Sequence, residues 1–305
     1  MIVRIVEMAA RDGLQNERQR IPTEVKVALV DALSEAGYDE IEVSAFVSPT
    51  WVPQLADAAD VFARIRRRTG VTFAALVPNE QGLARALDAR ADKVAVFTAA
   101  SETFNRKNIN ASIDESIARF ATVVPRALGA GLRVRGYVST AFWCPYEGAI
   151  APAAVVSVAK RLLGLGVEEL SIGDTIGKAT PVDVNALLDL LLDAVPQDQI
   201  AFHFHDTYGA ASANAVAAFE RGITVFDASA GGVGGCPYAP GAPGNVATED
   251  IVTALRAAGA EIALDLERVS AASALLATAL GRTLGRRAQG SAPDGPPSSG
   301  SPAAS

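Results

Sequence analysis

The chain has 305 residues, is 50% hydrophobic, and carries a net charge of −7 with only two cysteines. That length and composition bound it to one large or two ordinary domains, with ample apolar material for a core. Cys144 and Cys236, expected as reduced thiols, are too few for a disulfide framework, and the acidic balance excludes a general nucleic-acid binder, which needs a face stocked with Lys and Arg.

No apolar run reaches the roughly 18 uncharged residues of a membrane span, so no membrane is expected as a partner. The first residues enter a strand at once and lack a basic n-region with a cleavage site. No signal or transit peptide is expected, and the expected location is cytoplasmic. Short β-branched runs then predict strands at 2–7, 40–44, 71–76, 93–97, 133–138, 168–172, 200–205 and 224–228. Stretches of helical period predict helices at 23–36, 53–68, 79–89, 113–129, 153–164, 182–194, 209–221 and 247–258. The helix at 182–194 is the clearest: Val184, Leu187, Leu188, Leu191 and Leu192 form one stripe behind a Thr180 cap and Pro181. A further helix is expected at 264–280, able to pack on the barrel or on a second subunit. Residues 285–305, rich in Gly, Ser, Pro and Ala, cannot bury enough apolar surface to offset their ordering entropy and read as a disordered tail.

Eight βα units in this length predict an α/β (β/α)8 TIM barrel with an extra C-terminal helix, a single domain over 1–284. A doubly wound open sheet is the alternative. The barrel is preferred because polar residues sit at the C-terminal ends of several different strands, which a barrel gathers into one mouth.

The first strand leads into Arg11-Asp12-Gly13. Asp12 offers a hard oxygen ligand and Arg11 a guanidinium for a developing oxyanion. A solvated Arg–Asp pair is the plain alternative. Glu42 alternates inward on the second strand and needs a partner, for which Arg11 is the natural candidate. The apolar loop 44–53 either lines a substrate pocket or packs over the rim. The donor-rich stretch 101–110 reads as a polar loop, with contact to the phosphates of a bulky ligand as the sharper reading. Asp174, flanked by Gly173 and Gly177, is either a site acid or a turn residue holding its own loop amides.

The chain's only two histidines, His203 and His205, lie two apart in a strand and so point to one face. Two imidazoles at the end of an apolar strand suit a metal ion better than two ordinary half-buried histidines. The segment 231–245 holds six glycines and three prolines, is too irregular for regular structure, and reads as a lid presenting the Cys236 thiol. It lacks the Gly-Lys-Ser/Thr ending of a P-loop. Asn245 closes this segment and is expected to start the next helix, as a fourth metal ligand or as a plain N-cap. His203, His205, Asp12 and Asn245 together make a nitrogen and oxygen set suited to octahedral Mg2+ or Mn2+, not to a Cys-rich zinc site.

Arg11-Asp12-Gly13-Leu14-Gln15-Asn16-Glu17, the loop 44–53, Asn108-Ile109-Asn110, Gly173-Asp174-Thr175-Ile176-Gly177, His203-Phe204-His205-Asp206-Thr207-Tyr208-Gly209 and Gly234-Gly235-Cys236-Pro237-Tyr238-Ala239 to Gly244-Asn245 occur in this order. Together they resemble the 3-hydroxy-3-methylglutaryl-CoA lyase family of metallolyase TIM barrels. The resemblance runs from about residue 2 to 258. It implies cleavage of 3-hydroxy-3-methylglutaryl-CoA to acetyl-CoA and acetoacetate, as in leucine degradation and ketone-body formation. It implies a divalent metal held by Asp12, His203, His205 and Asn245. It also implies enolate stabilisation by Arg11, proton transfer by Cys236, further active-site acids at Glu42 and Asp174, and support from Glu249. Thr50, Ala111 and Pro243 depart from the family pattern and put the exact acyl group in question. The partners so implied are an acyl-CoA substrate and further copies of the chain, as a dimer or higher.

The nearest rival is an acetyl-CoA-dependent condensing acyltransferase of the same superfamily. Such enzymes usually carry a sizeable C-terminal extension, whereas here one helix and a tail follow the barrel. An aldolase for a free 4-hydroxy-2-oxo acid is a weaker rival. A catalytically dead scaffold would be expected to show damage among Arg11, Asp12, His203, His205, Cys236 and Asn245.

Overall fold

A computed structural model of the protein describes residues 1–235 and 244–284. Cys236 and Pro243, and the segment 285–305 read above as a tail, lie outside the described residues. The elements in chain order are β1 (Arg4–Glu7), α1 (Thr23–Ser34), β2 (Glu40–Ala45), α2 (Ala58–Arg64), β3 (Thr72–Leu76), α3 (Glu80–Asp88) and β4 (Lys93–Ala99). Then come α4 (Glu102–Ile109), α5 (Ile113–Gly129), β5 (Arg133–Ser139), the short strands β6 (Trp143–Cys144) and β7 (Gly148–Ala149), and α6 (Pro152–Gly164). The chain continues through β8 (Glu169–Asp174), α7 (Pro181–Leu191), β9 (Ile200–Phe204), α8 (Ala211–Glu220), β10 (Val225–Ala228), α9 (Thr248–Ala257) and α10 (Leu266–Leu280). Eight strands close in the order β1-β10-β9-β8-β5-β4-β3-β2, and β1 pairs in parallel with both β10 and β2. This is the expected TIM barrel, built from the eight expected strands.

Strand alternation sorts the residues. Phe202 and Phe204 on β9 point outward and stack on each other beneath the helices, with ring centroids 5.1 Å apart. His203 between them points inward. The barrel floor is filled less by aliphatic layers, the usual solution, than by paired charges. Lys93 Nζ donates to Glu40 and Glu169 at 2.9 Å each, and Arg4 also pairs with both carboxylates. Arg135, 1% exposed, lies 3.1 Å from Glu169 and 2.7 Å from Asp227. Charges this deep persist only when paired, so the floor is rigid by construction.

Three local readings are corrected. The polar stretch 101–110 is mostly helix α4: the Ser101 hydroxyl accepts from Phe104 N, Glu102 sits in the first turn and Arg106 and Lys107 in the last, so cap and dipole outweigh the polarity that suggested a loop. The helix expected at 53–68 breaks into a 3-10 turn (Pro53–Leu55) and α2, which ends where Ile65 turns extended (φ −64°, ψ 148°). Asn245 does not start the following helix. It is extended and bridged to His205, and α9 begins at Thr248. The reason is backbone demand at the mouth: Asp206 N donates to Gly244 O (2.6 Å) and Ser229 N to Val246 O (3.0 Å), which draws this segment in between the ends of β9 and β10.

Candidate metal site at the barrel mouth

Beyond Glu7, the chain winds a single wide turn, the π-helix Ala9–Gly13, which carries Arg11 and Asp12 over the mouth. Gly13 makes this close approach possible, because a Cβ there would lie 2.5 Å from the Val233 side chain. Arg11 is 5% exposed. Its Nε donates to Glu42 and its Nη1 to Asp12. Glu42 also accepts from the Tyr137 hydroxyl at 2.6 Å, and the guanidinium lies 5.5 Å from the Tyr137 ring centroid. The predicted Arg11–Glu42 pair is therefore formed, and Tyr137, not singled out in the sequence, buttresses it.

Asp12, His203 and His205 place one ligand atom each within 4.8 Å of one another. His203 Nε2 lies 3.8 Å from Asp12 Oδ2, and Asn245 Nδ2 donates to the same oxygen at 3.0 Å. The four residues read as ligands thus converge from the turn after β1, the C-terminal end of β9 and the segment ahead of α9. Burial works against the charge on Asp12, but Arg11 and the imidazoles outweigh it and hold its carboxyl well below the usual range. Burial, reinforced by His203, pushes His205 down to about 4, so its imidazole is neutral, the form that ligates metals. A carboxylate and two imidazoles gathered this closely, with an amide beside them, fit a divalent ion of borderline to hard character.

These residues open into a cavity of about 640 Å³. Val47, Ser48, Trp51 and Val52 line it, as expected of the apolar loop, and so do Asn108 and Asn110. Gly235, the last described residue before Cys236, lines it too. The oxygens of Asp174 accept from Lys178 N (3.1 Å) and Ala179 N (3.0 Å), so the carboxyl braces its own loop. Burial raises it to about 7. Glu249 accepts from Gly231 N at 3.0 Å and steadies the chain leading into 236–243.

Two residues were missed in the sequence. Asp227 lies beside His203 on the neighbouring strand; the one signal was a carboxylate inside an otherwise apolar strand. Glu7, fully buried, accepts from Ala9 N (2.7 Å) and Ala230 N (3.0 Å) and so ties the Arg11–Asp12 turn to the loop after β10. Burial lifts its pKa from 4.5 to about 7. Between those values the fold holds a proton that the unfolded chain releases. Stability from this group is therefore full below about pH 4.5 and is lost as pH rises through 7. Glu7→Gln, permanently neutral, should gain up to about 3 kcal/mol on the native protein between pH 4.5 and 8. Thermal midpoints of both proteins across that range check this; a constant offset would refute it.

A family model described as HMGL-like matches residues 2–276. The mitochondrial hydroxymethylglutaryl-CoA lyase of Bos taurus is 49% identical over 280 residues, covering 92% of this chain and 86% of the relative. A 3-hydroxy-3-isohexenylglutaryl-CoA/hydroxymethylglutaryl-CoA lyase of Pseudomonas aeruginosa is 49% identical over 286 residues, covering 94% and 95%. The crystal structure of the HMG-CoA lyase from Brucella melitensis superposes with a TM-score of 0.90 at 51% identity, covering 91% of this chain and 98% of that one.

Proposed function

The chain belongs to the HMGL-like family, and from that premise we propose that it is a carbon–carbon lyase that cleaves 3-hydroxy-3-methylglutaryl-CoA, or a close 3-hydroxyacyl-CoA, to acetyl-CoA and acetoacetate. The relatives at 49% identity, named as lyases of such CoA esters, support the substrate class. The observation that carries the reading at the site is the convergence of Asp12, His203 and His205 within 4.8 Å beside the buried Arg11. Asn245 completes the proposed ligand set.

A divalent ion bound there, Mg2+ or Mn2+ by the hardness of the donors, would lower the pKa of the substrate's tertiary hydroxyl and orient the substrate. The chain's residues supply the rest. When the bond between C2 and C3 breaks, its electron pair moves onto the thioester, and Arg11 faces that growing charge. Glu42, Tyr137 and Asp12 hold the guanidinium in place, so it need not reorganise during the reaction. The tertiary hydroxyl gives its proton to water as it becomes the ketone, and the carbanionic carbon of the enolate takes one proton in return, so no net proton is gained or lost. Cys236, directly after the cavity-lining Gly235, is the proposed donor. Asp174 and Glu249 act as braces of the mouth loops. The cavity wall of Trp51, Val52 and Phe97 would shelter the acyl portion from water.

No helix among the described residues is long and apolar enough to cross a membrane. A cytoplasmic location and a place in leucine breakdown belong to the same proposal; the bacterial relative from Pseudomonas, matched over 95% of its length, supports the location. Self-association, as a dimer or higher, is proposed with it. Exposed Leu190 on α7 and Leu275 on α10 are available for such contacts.

The test is product formation from 3-hydroxy-3-methylglutaryl-CoA with Mg2+ or Mn2+, then with a chelator. Metal-dependent release of acetyl-CoA and acetoacetate is expected, abolished by chelation and restored by added metal. No cleavage together with condensation of acetyl-CoA onto a 2-oxo acid would overturn the lyase reading in favour of the transferase.

A further inference from the structure

We propose that Asp227 is a positioning residue that fixes His203 in its Nδ1–H tautomer and so presents Nε2 as a lone pair to the mouth; this rests on the metal reading above. Asp227 on β10 is the direct cross-strand neighbour of His203 on β9, and both point into the barrel. One carboxylate oxygen, Oδ1, accepts from Arg135 Nη2 at 2.7 Å. The other, Oδ2, accepts from the Ser171 hydroxyl at 2.8 Å and faces His203 Nδ1 at 3.1 Å. Both oxygens are thus engaged as acceptors, and the carboxylate has no donor to offer. The proton in the contact with His203 must come from Nδ1. In the neutral ring Nε2, 3.8 Å from Asp12 Oδ2, is then left unprotonated and too far from Asp12 for a hydrogen bond.

The two histidines are therefore not equivalent. The Asp227 carboxylate sets the tautomer of His203, whereas His205 faces a backbone group of Thr175. Asp227 itself cannot swing away. It is 1% exposed, and its holder Arg135 is tied to Glu169, which Lys93 and Arg4 pin in turn. Arg135 also packs over the Tyr137 ring at 5.2 Å, and Tyr137 donates to Glu42, the partner of Arg11. The ion-pair floor thus supports both the metal-facing imidazole and the oxyanion-facing guanidinium. Carboxylate–imidazole pairs of this kind orient metal ligands, and breaking one typically costs 10- to 100-fold in metal affinity.

The chain's only two histidines make the test direct. In 15N-histidine NMR of the full-length metal-free protein, at alkaline pH where both rings are neutral, His203 should show a protonated Nδ1 and a bare Nε2. Asp227→Asn reverses this. Its amide oxygen stays with Arg135, so its NH2 faces His203 and the ring must switch to Nε2–H. The variant should bind Mn2+ about 10- to 100-fold more weakly by calorimetry, with its metal-free circular dichroism unchanged. Ser171→Ala, which keeps the carboxylate and Arg135, should retain the Nδ1–H signature. A wild-type His203 in the Nε2–H form overturns the proposal even if the Asn variant fails to fold. An Asn variant that folds and binds Mn2+ as tightly as wild type also overturns it, while leaving the lyase reading intact. Absence of Mn2+ binding by the wild type would sink the metal reading and this inference with it.

Discussion

Arg11→Lys is expected to lower kcat by about 100- to 1000-fold, the range found when a preorganised oxyanion donor is lost. The charge survives the substitution, but the geometry does not. Arg11 uses Nε for Glu42 and Nη1 for Asp12, and its planar fork holds both carboxylates at once while facing the cavity. An ammonium on a flexible stem cannot reproduce that arrangement. With burial as deep as 5% exposure, the lysine would settle between the two carboxylates and withdraw from the substrate. The loss should fall on kcat more than on KM, and Mn2+ affinity should change far less than turnover. Steady-state kinetics with the CoA thioester, run beside a metal titration, separate these effects. A change confined to KM would show that Arg11 binds the substrate without stabilising the charge that develops on it.

Asp12→Asn is expected to weaken metal binding more than about 100-fold, beyond the range for residues that only orient a ligand. Asp12 is the one carboxylate in the triad with His203 and His205, and it is kept ionised by Arg11 and the imidazoles against the cost of burial. An amide oxygen is a weaker donor to a hard divalent ion and carries no charge to offset it. Turnover should be lost at ordinary metal concentration and recovered in part at high concentration. Calorimetric titration with Mn2+, and activity measured against metal concentration, read this out. Full turnover at wild-type metal levels would remove Asp12 from the ligand set.

His203 and His205 declared themselves through spacing alone, because a two-residue period in an apolar strand leaves little choice of face. The Arg11–Glu42 pair was legible for a different reason: a carboxylate inside a barrel demands a cation, and Arg11 sat at the neighbouring strand end. Asp227 and Glu7 were not legible. Each is a single acid in a short strand, and their importance comes from partners distant in sequence, Arg135 and Ser171 for the one, Ala9 and Ala230 for the other. Asp174 could be placed at the mouth but not oriented, since only the folded loop reveals that its oxygens meet the amides of Lys178 and Ala179. The helix Glu102–Ile109 was hidden by its polarity, although its Ser101 cap was visible.

By itself, then, the sequence determined the strand count, the barrel, the family resemblance and the identity of the residues gathered at its mouth. All of these follow from local periodicity and from rules that put strand C-termini on one face. Only the tertiary structure decided which partners the carboxylates meet, Arg11 for Glu42 and Asp12, backbone amides for Asp174. It also decided that the floor beneath is an ion-pair lattice of Arg4, Glu40, Lys93, Arg135, Glu169 and Asp227. The physical reason is that a charged side chain in a strand announces only that it needs a partner. Which partner it meets depends on how eight strands, far apart in the chain, stagger when the barrel closes.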